Sequence, residues 1–113
     1  MGTSRDRYSG AAPQAQGVKR VWLHPAAWHE IGEVTEYYEE RREGLGERFF
    51  NEVERVKSLL CEIQLGAKID DRHRRAPLSG FPYSIIYRAD TSVILQIVAV
   101  AHNRRLPYWL DRT

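Results

Sequence analysis

The residues best suited to chemistry gather in one short stretch, His102-Asn103-Arg104-Arg105-Leu106-Pro107-Tyr108-Trp109. An imidazole titrates at about pH 6.5 when unperturbed, so His102 suits proton transfer near neutral pH. Arginines hold phosphate, and a tyrosine can donate a proton or stack on a base. RNA cleavage by 2′-hydroxyl attack needs these parts: a base for the hydroxyl, positive charge for the phosphorane and an acid for the leaving oxygen. His102, Arg105 and Tyr108 are the catalytic candidates if that is the reaction. Arg75, Arg88, Arg104 and Arg105 are the candidates for binding an anion or an acidic partner. Each has a plainer reading. His102 can simply end a strand and bond locally, the arginines can serve solubility or an acidic protein, and Trp109 can pack the last segment onto a sheet.

The element that must position this stretch directly precedes it. Val93–Ala101 is apolar throughout except for Gln96 and is rich in β-branched residues. It is too short to span a membrane and too uninterrupted for a half-exposed strand, so it reads as a strand buried on both faces. Before it, Phe81–Arg88 reads as another strand, with Pro82 at its start. Ala89-Asp90-Thr91 makes the hairpin turn between them. A weaker strand is expected near Arg72–Ala76, with one exposed face.

The first half supplies a strand and two helices. Val18–Leu23 is the strand. His24-Pro25 opens a helix running to about Glu43, with Pro25 at its first position. Trp28, Ile31, Val34, Thr35 and Tyr38 share one side of it. Gly44-Leu45-Gly46 breaks the chain. A second helix carries the stripe Leu45, Phe49, Val53, Val56, Leu60 and Ile63, and Gly66 is expected to end it. The fold class is therefore α+β: a helical hairpin packed on a small, mostly antiparallel sheet, in the order β-α-α-β-β-β. Val53, Val56 and Leu60 should face a sheet containing Ile86, Leu95, Ile97 and Val98. Residues 1–17 show no periodic apolar face and read as a flexible tail, leaving 18–113 as the domain.

Composition sets bounds. The chain has 113 residues, 42% hydrophobic and 28% charged, as expected of one soluble globular domain. No membrane span or signal peptide is evident. The single cysteine, Cys61, excludes an internal disulfide and fits a reducing cytoplasm. His24, His29, His73 and His102 lack metal-ligand spacing with it, and no cofactor motif occurs, so no metal and no cofactor are expected. The net charge of +2 conceals a division: residues 30–62 hold ten Glu against five Lys or Arg, and residues 68–113 hold eight Lys or Arg against four Asp. A basic half suits nucleic acid or an acidic protein.

Three stretches carry a resemblance. RAPLSGFPYSIIY (Arg75–Tyr87), VAVAHNRRLPYW (ending at Trp109) and VWLHPAAWHEIGEVTEYYEER (from Val21) together resemble the RelE/ParE toxin superfamily over about residues 18–112. The resemblance implies the toxin of a bacterial type II toxin–antitoxin pair, neutralised by a cognate antitoxin in a hetero-oligomer. It also implies either of two activities: messenger RNA cleavage on the ribosome, as in RelE-like members, or inhibition of DNA gyrase, as in ParE-like members. The chain departs from the nuclease pattern twice. Ser84 follows Tyr83 where an arginine is usual, and Trp109 stands where a tyrosine is usual. These departures count against ribonuclease activity, and the ending HNRRLPYWLDR resembles the ParE-like side. The alternatives are a ribosome-dependent endoribonuclease and a silent module kept for antitoxin binding.

Overall fold

The computed structural model describes residues 19–63, 66–88 and 93–112. Five strands and two helices follow in order: β1 (Arg20–Leu23), α1 (Pro25–Arg41), α2 (Leu45–Leu60), β2 (Ala67–Lys68), β3 (Arg74–Pro77), β4 (Tyr83–Arg88) and β5 (Ile94–His102). The sheet order is β1-β5-β4-β3-β2, with β1 parallel to β5 and the other pairs antiparallel. The expected class and order hold, with the two-residue β2 added before the meander. The tail expected over residues 1–17 and the turn expected at 89–91 lie outside the described residues.

Local chemistry explains the helix boundaries. His24 caps α1 by accepting the Ala26 N–H at Nδ1 (3.0 Å), and Pro25 needs no N–H partner there. Gly44 precedes α2 at φ 87°, a conformation that glycine adopts without steric cost. It has no side chain to cap the helix, so Glu39 of α1 does this, accepting the N–H groups of Gly44 (3.0 Å) and Gly46 (3.0 Å). Gly46 has no room for a side chain: a Cβ there would lie 2.5 Å from the Thr35 carbonyl oxygen. The helical hairpin is thus closed by one carboxylate and one close backbone approach.

The sheet buries both faces, as the apolar run predicts. On the helix side Phe49, Val53, Val56 and Leu60 meet Ile85, Tyr87, Leu95, Ile97 and Val100. On the other side Ile86, Val98, Ala99 and Ala101 are covered by Trp109. The four sheet residues named from the sequence all lie in β4 and β5, and Ile86 and Val98 among them face away from the helices for two reasons. Alternation puts Ile86 opposite its neighbours Ile85 and Tyr87. In β5 the register shifts, so that Ile86 pairs with Ala99 but Tyr87 pairs with Ile97. Val98 is the additional residue of this β-bulge, and the alternation of β5 inverts there.

Three further expectations are corrected. Trp28 is 57% exposed, because α1 buries a narrow stripe through Ala27 and Ile31. Ile63 is 54% exposed, because α2 ends at Leu60. Gly66 does not end the helix. It lies just before β2, where a Cβ would collide with the Arg75 carbonyl. In the connection to β3, His73 is buried against Trp109, with ring centroids 4.9 Å apart, and its Nδ1 lies 3.0 Å from Asp70 Oδ1.

Candidate functional site

The bulge in β5 determines where the site lies. Before it, Leu95 and Ile97 face the helices. After it, Val100 does, and so does His102. Unbroken alternation from Leu95 would have sent His102 to the Trp109 side. The inversion instead opens it into a cleft between α1, the ends of β4 and β5, and the C-terminal segment. The cleft encloses about 370 Å³, counted out to solvent, and is lined by Glu30, Glu33, Val34, Tyr83, Val100, His102, Arg105 and Tyr108.

The three catalytic candidates therefore converge. His102 accepts the Arg104 N–H at Nδ1 (3.1 Å), a local strand-ending bond that leaves Nε2 as the nitrogen for proton exchange. Its ring meets Tyr83 edge-on at 5.2 Å. The guanidinium of Arg105 lies over the Tyr108 ring at 4.1 Å, and that of Arg112 lies 5.0 Å from the same ring. Burial and a hydrogen bond to the Glu30 carboxylate push the Tyr108 phenol up to about 12. Burial also raises Tyr83.

Glu30 is the organising residue, and sequence reading missed it. Past Leu23, β1 no longer covers β5. There Glu30 Oε1 accepts the Val100 N–H (3.0 Å), and Arg112 donates to the Val98 carbonyl (2.9 Å). The two side chains then pair with each other at 2.8 Å, each with about one-sixth of its side-chain surface exposed. An ion pair thus stands in for a missing strand and fastens the C-terminal segment beside the cleft. The available signal was position: Glu30 lies three residues after Ala27 and four before Val34, on the apolar side of α1.

The binding arginines do not form one patch. Arg105 lines the cleft, and Arg104 is exposed beside it. Arg75 is half-buried on β3, its Nη1 3.5 Å from Asn103 Oδ1. That same oxygen accepts a hydrogen bond from the buried Ser84 hydroxyl (2.5 Å), so the serine standing at the nuclease arginine position braces the loop after β5. Arg88 is 8% exposed at the opposite end of β4, about 16 Å from Tyr83 at strand rise, and does not share the site. Trp109 is 1% exposed and packs the sheet, as its plainer reading had it. Burial raises the Cys61 thiol, in keeping with an inert cysteine.

The cleft can hold a proton donor or acceptor at His102 and a cation at Arg105, but two carboxylates share it. The Tyr108 proton is held tightly, so the phenol is a poor acid near neutral pH.

Comparison with known proteins agrees with this architecture. Residues 21–107 match the family model described as ParE toxin of type II toxin-antitoxin system, parDE. A solved structure titled "Chromosomal ParDE TA system from P. aeruginosa" superposes with a TM-score of 0.64 at 15% identity, covering 76% of this chain and 97% of that one. No curated protein matches the sequence. With the family model spanning β1 through the end of the His102–Pro107 turn, the chain belongs to the ParE toxin family of type II toxin–antitoxin systems.

Proposed function

We propose that this chain is a growth-inhibiting toxin, neutralised by a cognate antitoxin, that acts by binding a protein target and does not cut RNA. DNA gyrase is the target that the family resemblance implies. The observation that carries this reading is the state of Tyr108. Its phenol bonds to Glu30, is raised to about 12 and is covered by the side chains of Arg105 and Arg112. A phosphate entering the cleft would meet the Glu30 and Glu33 carboxylates. A protein surface with its own basic and apolar groups is the better match.

The ribonuclease reading keeps one observation in its favour: His102, Arg105 and Tyr108 do line one cleft. The two readings part in a direct assay. Purified chain is added to translating ribosomes with transcript ends mapped, and in parallel to a DNA supercoiling reaction. We expect loss of supercoiling and no discrete new transcript ends. New ends present with wild type and absent with His102→Ala, which would remove an acid–base group typically worth about 10²–10⁴-fold, would establish the nuclease instead.

A further inference from the structure

The antitoxin assignment leaves open where such a partner sits, and the sheet has two edges of very different character. β2 is two residues long, carries Lys68 and is followed by Asp70 and Asp71, which is how natural sheets guard an edge. Among the described residues, the Val21–Leu23 stretch of β1 carries no charged side chain. The amides of Arg20 and His24 donate to Val93 and Ile97 of β5. By the two-residue period of a strand, Trp22 faces β5 as well, while the N–H and C=O groups of Val21 and Leu23 point outward. The edge opens just after Lys19, whose N–H is taken by the Cys61 carbonyl at the end of α2.

Apolar surface borders this edge. Trp22 is 40% exposed and Ile94 39%, on paired strands, and Val93 beside them is 59% exposed. Leu59 and Ile63 flank Cys61 and are 38% and 54% exposed. Among the described residues, five of the nine exposed large hydrophobics thus border one short edge, a concentration that marks a docking surface. Arg20 is exposed at its start.

The geometry points to the Val21–Leu23 edge of β1 as the docking line for an extended, acidic segment of the antitoxin, which adds to the sheet as a sixth strand. This rests on the proposed antitoxin neutralisation. Backbone bonds to Val21 and Leu23 would supply the register. Apolar residues would cover Trp22 and Ile94, and a carboxylate would meet Arg20. A second copy of the chain fits less well. Three open residues bury far less than the roughly 800 Å² per partner of a stable interface. An antitoxin segment can run on past the edge over Leu59 and Ile63.

The test uses the full chain, alone and in complex with the neighbouring-gene protein that restores growth to cells making it. Amide hydrogen exchange is read by NMR. Complex formation should slow Val21 and Leu23 at least tenfold, with a smaller change at Arg20 and Trp22, whose amides already bond to β5. Val21→Pro removes one outward N–H and leaves the β5-facing bonds, so affinity should fall at least tenfold. If that variant fails to fold, the exchange data decide alone. Growth rescue with Val21 and Leu23 exchanging as in the free chain would overturn the edge proposal and leave the antitoxin reading standing. Protection of both amides in the free chain, together with a dimer in sedimentation, would assign the edge to a second copy and also overturn it. Absence of any rescuing neighbour would remove the antitoxin reading and the edge proposal with it.

Discussion

Tyr108 and Glu30 turn a resemblance of residue types into a difference of chemistry. A phenol that donates to a carboxylate holds its proton, because ionising it would place two anions together in a half-buried cleft. Burial first, and this carboxylate after it, raise Tyr108 to about 12. The folded value lies above the unfolded value of about 10, so this contact stabilises fully below pH 10 and is lost as pH rises towards 12. Two results are expected. In a spectroscopic titration of tyrosine ionisation, one residue should ionise near 12 in wild type. In Glu30→Gln that transition should move down towards 10, while alkaline unfolding begins at lower pH because Arg112 loses its charged partner. A Tyr108 transition unmoved by Glu30→Gln would show that burial alone sets its value.

The elements divide into those that pattern alone determines and those that it cannot. The stripe Phe49, Val53, Val56 and Leu60 was legible because only one phase of an α-helix brings these residues together, and all four are at most 2% exposed. Leu60→Ala should therefore cost roughly 2–5 kcal/mol in chemical denaturation. Trp109→Ala should cost roughly 3–5 kcal/mol, since Trp109 covers the second face of the sheet. Gly46→Ala should cost about 1–3 kcal/mol by forcing apart the two helices at Thr35. An unchanged midpoint in any of these would contradict the packing of that element. The bulge at Val98 was not legible, for a physical reason. Residues 97 to 101 are all apolar and both faces of β5 are buried, so the hydrophobic pattern carries no parity. The side on which His102 emerges depends on that parity. Sequence could therefore name His102, Arg105 and Tyr108 but not Glu30, which only the inverted register brings to them. Arg88 was misplaced for a related reason: an arginine at a strand end looks exposed until the depth of the sheet is known.

At the scale of the whole molecule, charge and apolar surface are distributed differently. The acidic helices, with ten Glu against five basic residues between positions 30 and 62, form one layer. The sheet and C-terminal segment carry the basic excess. Five of the nine exposed large hydrophobics among the described residues gather beside β1, where the layers meet at Lys19 and Cys61. A partner held mainly by charge would bind through the basic side, and its affinity would collapse as added salt shortened the screening length from about 10 Å at 0.1 M to about 3 Å at 1 M. A partner held by strand addition and apolar cover would respond weakly, because backbone hydrogen bonds and burial at about 25 cal/mol per Å² are not screened. The antitoxin complex should belong to the second kind. Between 0.1 and 0.5 M sodium chloride its dissociation constant, measured by calorimetry, should rise by less than about tenfold, as exposed ion pairs contribute only about 0–1 kcal/mol each. Arg20→Gln should weaken binding and further flatten the salt response, since it removes an attraction that salt screens. Dissociation by moderate salt alone would place the binding energy in exposed ion pairs and move the interface away from the apolar edge.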